Sequence, residues 1–311
     1  MIEVSLETGE NRRQVVANAV RGLGDAFSDK CRQAETILIK VNLVHHENQL
    51  ASTHIDAVRG VLDVIRNINK CKVIVADASY HGTKAAFRNF GYNRLLEEFN
   101  FVELQDLNDD DFVDGYSVKA DGSRNPIRRS KTAVNADLKI SLAPMKLHRD
   151  TAVSLSVKNW TIGTWVTPPR VSASGMVWAR WPWLHEEGAW AHHASIMELY
   201  RQVPCDVGIV DGILAMEGDG PSSGEPVQMG VVLAGMDAVA VDAVSATLMS
   251  IDPSEVGYLV MCAEAGLGVI DLTRINVPPM MMSEITREFS RPPGFEGKIM
   301  QWKSGAPESL R

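Results

Sequence analysis

The sequence predicts an α/β protein: a mixed, largely parallel sheet covered by helices, with an inserted hairpin and a tryptophan-rich loop. Three observations predict it. Short β-rich apolar runs, such as TILIKV at 36–41 and KVIVAD at 72–77, alternate with amphipathic stretches. The segment 36–77 reads as a complete strand–helix–strand unit, whose crossover is right-handed in nearly all proteins. The chain has 311 residues, 45% hydrophobic and 23% charged, enough apolar material for a sizeable core.

Taken in order, the first strand is expected over 2–6 and a helix over 11–27, with Val15, Val16, Ala19, Val20 and Leu23 on one face. A buried strand follows at 36–41. An amphipathic helix spans 55–68, with Ser52 or Thr53 as its N-cap, and the strand at 72–77 ends on Asp77. The polar region 108–136 reads as a hairpin or insertion built from 112–118 and 127–133. Strands at 137–143 and 151–157 flank a short polar turn at 144–150. Residues 160–193 hold six of the seven tryptophans and follow neither a helical nor a strand period. That stretch reads as a long loop or lid, because long loops in compact domains are often functional; a subunit contact through the same aromatics is the other reading.

Order returns with a helix over 193–202 and a strand over 206–213. A glycine-rich loop at 218–224, a strand at 229–234, helices at 238–249 and 254–265, and a last strand at 274–277 complete the series. The organisation expected is a single α/β domain over 1–277, or two intimately joined lobes over 1–145 and 146–277, followed by an extended C-terminal tail at 278–311.

Composition removes several function classes. The formal net charge is -8, which argues against a nucleic-acid partner because phosphate neutralisation needs clustered Lys and Arg. The only basic cluster, 124–131, is short enough to be a solvated loop. No run approaches the ~20 apolar residues of a membrane span, and the first residues lack the layout of a secretory signal. Cys31, Cys71, Cys205 and Cys262 are far apart with no C-x-x-C, so no iron–sulfur cluster or zinc ribbon is encoded, and a cytoplasmic protein with reduced thiols is expected. No phosphate-binding or dinucleotide motif is present, so no nucleotide cofactor is expected.

Polar motifs at strand ends carry the chemistry. Open α/β sheets bind ligands in the crevice at the C-terminal ends of their strands. Lys40 and Asn42 sit at such an end, where a lysine suits a carboxylate or phosphate; a surface lysine is the plainer reading. Lys146 and His148 alternate, so an extended backbone puts both on one face, an oxyanion holder beside a proton carrier. Lys158 and Asn159 follow an apolar run and precede Trp160; desolvation there would free the lysine for base or nucleophile work. Of His192 and His193, which cannot both face one site from a helix, His193 is favoured, and His185 is a weaker candidate. Asp211, Glu217 and Asp219 are candidate ligands for a divalent metal ion, the one cofactor considered, while Gly218 and Gly220 of the same loop could wrap an anion with backbone N–H groups. Asp237 is a helix cap, and Asp242, inside an apolar helix, needs a partner such as Lys40 or Lys158.

The segments ILIKVNLV (37–44), VIVADAS (73–79), Phe87 with Gly91 and Tyr92, ADLKISLAPMKLH (136–148), SLSVKNWTIG (154–163), HASIMEL (193–199), IVDGILAMEGDGPSSGEP (209–226), VVLAGMDAVAVDAVSATLM (231–249) and GLGVIDLTRINV (266–277) together resemble the family of domain of unknown function 362. The resemblance spans about residues 35–277, with Val41 and Met145 departing from the residues more common there. It implies a stand-alone member, since many relatives carry a ferredoxin-like module and this chain shows none of its cysteines.

Together these features predict an enzyme acting on a small anionic metabolite, aromatic ones included, by Lys/His acid–base or metal-assisted chemistry, in specialised-metabolite or cofactor biosynthesis. His148, Lys158, His193 and Lys146 are the expected catalytic groups; Lys40, Asn42, Asn159, Trp160, Gly218 and Gly220 are the expected substrate contacts. The alternatives are an accessory module for an iron–sulfur redox partner, and a scaffold or homo-oligomer joined through the tryptophan loop.

Overall fold

Strands that read as near-continuous Val, Ile and Leu runs belong in a sheet covered on both faces, and the chain builds one. The structure is a computed structural model that describes residues 1–172, 175–277 and 279–307. Its strands are β1 (Ile2–Thr8), β2 (Thr36–Lys40), β3 (Lys72–Asp77), β4 (Val102–Asp106), β5 (Phe112–Val118), β6 (Arg124–Ser130), β7 (Leu138–His148), β8 (Ala152–Ser154), β9 (Trp165–Val166), β10 (Arg170–Ser172), β11 (Gly175–Val177), β12 (Val207–Glu217), β13 (Glu225–Gly235) and β14 (Ile275–Asn276). The main sheet runs β14–β1–β13–β12–β7–β2–β3–β4, and β8 pairs with β7. From β12 to β4 every pairing is parallel, whereas β13 is antiparallel to both its neighbours. The fold is therefore a mixed, largely parallel α/β sheet. The inserted hairpin is β5–β6, with β9 as its third strand.

The helices are α1 (Arg12–Arg21), α2 (Gly24–Gln33), α3 (Ile55–Ile68), α4 (Thr83–Asn89), α5 (Arg94–Glu98), α6 (Lys131–Asn135), α7 (Ser156–Ile162), α8 (Ala189–Gln202), α9 (Ala238–Leu248), α10 (Gly257–Glu264), α11 (Pro279–Ile285) and α12 (Phe295–Ile299). Period-two alternation along the strands sorts the core into two layers. Leu38 and Val210 pack with residues of α7 to α10 on one face. Ile37, Ile39 and Ile209 pack with residues of α1 and α3 on the other.

Several boundaries differ from expectation for physical reasons. The helix expected over 11–27 is two helices, because the chain breaks at Leu23 and restarts at Gly24 with φ +59°. α3 spans the expected residues, but its N-cap is His54, whose Nδ1 accepts from Asp56 N, rather than Ser52 or Thr53. β7 continues to His148 through the segment expected to be a turn, and a boundary between lobes at residue 145 would fall inside this strand. Residues 151–157 are not one strand: β8 ends at Ser154 and α7 begins at Ser156. The described part of the C-terminal tail is not extended: it forms α11, α12 and a short 3-10 turn, and its apolar Phe289, Phe295 and Ile299 are buried in the α7–α10 layer. All four cysteines are free thiols, and among the described residues no helix is long and apolar enough to cross a membrane.

Candidate active site

The C-terminal ends of β2, β3 and β7 open onto a cavity of about 190 Å³. β7 supplies Lys146 and His148, and α7, folded back against it, supplies Lys158, Asn159 and Ile162. The segment between β11 and α8 closes the cavity from above with Trp178, Arg180, Trp181, Leu184 and His185. His192 enters from the first turn of α8.

α7 has no capping side chain of its own, because its N-cap is Leu155. Asp242, fully buried in α9, supplies the cap from a distance. Its Oδ1 accepts from Ser156 N at 2.8 Å and from Ser156 Oγ at 2.5 Å, and its Oδ2 accepts from Val157 N at 2.9 Å. Asp242 thus meets backbone amides, and neither Lys40 nor Lys158 is its partner. Burial raises its carboxyl to about 7 despite these donors. Its folded value therefore lies above the unfolded one, about 3.9. Its contribution to stability is complete at low pH and is lost as pH rises through about 7. In Asp242→Asn that loss is absent, so the stability of the variant relative to the native chain is expected to rise across this window; urea titrations at several pH values read it.

The cations are unevenly paired. Lys40 lies in a layer behind the cavity, fully buried, with its Nζ 2.6 Å from Asp77 Oδ1 and donating to Asn159 Oδ1 at 2.8 Å. A Cβ at Gly163 would lie 2.1 Å from that Nζ, so glycine is required there. Lys146 Nζ donates to Asn42 Oδ1 and Ala51 O, each at 2.7 Å, and burial pushes its pKa down to about 7. Lys158 Nζ donates to Thr151 Oγ1 at 2.9 Å, and burial lowers its pKa well below the usual lysine value. Arg180 is held by Trp165 O, Trp178 O and Asn108 Oδ1; burial lowers it to about 10.

Two of the imidazoles are held toward the neutral form. Burial, followed by the charge of Lys158, keeps both His148 and His192 well below the ordinary histidine value. His148 Nδ1 accepts from Asp150 N, which places its proton on Nε2. Among the described residues His192 Nε2 is buried without a hydrogen-bond partner, and its ring lies 4.5 Å from that of His185. His185 Nδ1 is 3.2 Å from Asp150 Oδ2, and Lys298 of α12 also pairs with Asp150. Burial works against ionisation of Asp150, but hydrogen bonds from His185 and Lys298 outweigh it and hold the carboxyl well below the usual range.

Lys146, His148, Lys158, Asn42 and Asn159 thus meet in one cavity. Four expected contacts do not. Trp160 is a core residue whose Nε1 donates to Val203 O. Gly218 N donates to Ser290 O and Gly220 O accepts from Arg149 N, so the glycine loop packs against protein and reaches the cavity only through Pro221. Lys40 acts from behind, through Asn159 and Asp77. Of the histidine pair it is His192 that lines the cavity; His193 Nδ1 accepts from Tyr258 N, and burial lowers its pKa to about 3. The helix begins four residues earlier than expected, which rotates the pair.

The carboxylates proposed as metal ligands do not converge. Asp211 lies 2.9 Å from Arg12, Glu217 accepts from Ser290 N, and Asp219 pairs with Arg149. Among the described residues no group of three His, Cys, Asp or Glu is arranged to hold a metal ion. Sequence reasoning missed Asp77, Thr151 and Arg180. Asp77 alone carried a signal, as the carboxylate closing a buried strand.

Comparison with known proteins follows the same lines. The chain is 26% identical over 242 residues to the thylakoid-associated protein sll1697 of Synechocystis sp., a match covering 76% of this chain and 70% of that one. It is similar in fold to the lactate racemase apoprotein of Thermoanaerobacterium thermosaccharolyticum, with a TM-score of 0.51 at 16% identity. That match covers 79% of this chain and 57% of the racemase, so the chain spans little more than half the length of that protein. The model of the family described as Domain of unknown function (DUF362) matches residues 37–247, more than half of the sequence, and the chain belongs to that family.

Proposed function

We propose that this chain is an enzyme that binds a small anionic metabolite on Lys146, Lys158 and Arg180 and transfers protons through neutral His148 and Lys158. The observation that carries the reading is the charge of the cavity. Two buried cations, Lys146 and Arg180, wall it together with the buried amine of Lys158, and the one carboxylate among the described lining residues, Asp77, is already engaged by Lys40. A buried charge needs a partner, and an anionic ligand supplies it. Tyr80, Trp178 and Trp181 add apolar surface that suits an aromatic or otherwise planar substituent. The orphaned His192 Nε2 marks a further polar contact for the ligand. The fold resembles that of the lactate racemase apoprotein, and open α/β sheets of this kind bind ligands at the C-terminal ends of their strands, where this cavity lies.

Titration calorimetry with inorganic phosphate, acetate, lactate and mandelate tests the binding half. At least one of these is expected to bind, and failure of all four would remove the anion site. Incubating the acids that bind in heavy water tests the chemical half, with deuterium uptake at carbon as the expected result and its loss in His148→Gln. A second reading, an accessory or scaffolding role, rests on Val171 and Met176, both exposed on the paired strands β10 and β11. Capture of a redox partner that Val171→Ser with Met176→Ser abolishes, without turnover of any small acid, would favour it.

A further inference from the structure

The three lysines around the cavity are not equivalent in what their nitrogens can do. Lys40 is tied to a carboxylate, and Lys146 donates to two carbonyl-type acceptors. Lys158 instead meets a hydroxyl. Thr151 Oγ1 donates its own proton to Val153 O at 3.1 Å, so toward Lys158 it acts as acceptor. One N–H of the amine is thereby fixed, and no other hydrogen bond holds the nitrogen among the described residues, so in the unprotonated amine the lone pair has no competing partner there. The nitrogen belongs to a cavity-lining side chain that is 7% exposed, on a helix whose first turn is clamped by Asp242. A positioned amine with a free lone pair, beside separate cations for a carboxylate and a neutral imidazole for protons, is the constellation used for covalent addition to carbonyl compounds.

We infer that Lys158 forms an imine with a small 2-oxo acid whose carboxylate rests on Lys146 and Arg180. The inference rests on the anion site proposed above and names its substrate class. The steps balance without any outside oxidant or reductant. Nζ adds to C2, and one of its protons passes to the carbonyl oxygen, giving a neutral carbinolamine. The second nitrogen proton passes to the hydroxyl as the C2–O bond breaks, so that water leaves as the C=N bond forms, with the cavity's imidazoles His148 and His192 as the relay for both transfers. Burial supports the first step by lowering the pKa of the amine well below the usual lysine value. The imine in turn makes hydrogens on the adjacent carbon acidic, which gives the neighbouring imidazoles a proton to move.

The test is borohydride trapping with pyruvate as the probe, read by intact mass and peptide mapping of the whole chain. A single reduced pyruvyl adduct on Lys158 is expected, suppressed by excess phosphate and absent from Lys158→Arg. If pyruvate binds by calorimetry but the label is missing, falls on Lys146 or scatters over surface lysines, the imine is overturned while the anion site stands. If neither pyruvate nor the simple anions bind, both readings fall. Because the mapping and the phosphate protection use the native chain, a variant that fails to fold does not blunt the result.

Discussion

Asp77→Ala is expected to lower the stability of the chain by about 3–5 kcal/mol, the range for breaking a buried ion pair from one side. Its partner Lys40 is fully buried, and Arg180, which also acts on it, carries the same sign. The substitution also removes the acceptor for Leu43 N, bonded to Asp77 Oδ2 at 2.7 Å. The effect has a pH signature. Burial already lowers the pKa of Lys40, and Asp77 is the group that raises it. Without Asp77 the folded value falls further below the unfolded one, about 10.4. The unfolded chain then binds more protons over that interval, so the stability of the variant rises with pH relative to the native chain. Urea titrations should show the deficit shrinking toward about pH 10. Lys40→Met combined with Asp77→Ala should recover a large part of the loss, since it removes the stranded charge as well. A deficit that is equal at all pH values, or unrelieved in the double variant, would show that the pair is not what holds this corner.

Lys146→Met is expected to act on binding and stability with opposite signs. Removing a buried charged donor from the anion costs about 1.5–3 kcal/mol, or roughly 10- to 150-fold in Kd. Stability moves the other way. The folded pKa of Lys146, about 7, lies below the unfolded value, so the charged lysine destabilises the fold most below about pH 7. Methionine removes that penalty, although Asn42 Oδ1 and Ala51 O lose a donor. The variant should therefore unfold at higher urea near neutral pH while binding phosphate more weakly. In the native chain, phosphate affinity should fall as pH rises past about 7, and binding above that value should take up a proton, seen by calorimetry in buffers of different ionisation enthalpy. A residue kept at a cost to the fold is the pattern expected of a functional site.

The sequence disclosed those parts of the molecule that carry their own local signals. α3 and β3 span the residues expected, because a 3.6-residue apolar period and a six-residue β-rich run need no distant help. Lys146 and His148 were legible as a pair for the same reason, since alternation on a strand is a local property. α7 was not legible. Its cap comes from Asp242, 86 residues further on, so SVKNWTI alone looks like the end of a strand. The continuation of β7 was hidden by Pro144, which cannot donate to a ladder; β12 accommodates it with a register shift beyond Asp211. The roof was legible only as an aromatic stretch without period. What orders it is tertiary, the three hydrogen bonds of Arg180 and the contact of His185 with Asp150. His192 and His193 were separable only once the helix start at Ala189 was known.

The position of β1 has a bearing on how the chain is made. It is synthesised well before its neighbours in the sheet, which are β13, beginning at Glu225, and β14. Its apolar residues Val4 and Leu6 therefore wait unpartnered through most of synthesis, while β2 and β3 can already pair. Closure of this edge is a late, long-range event, and long-range pairing of this kind slows folding and prolongs exposure to aggregation. A nascent chain stalled before β13 should therefore be the species that chaperones retain.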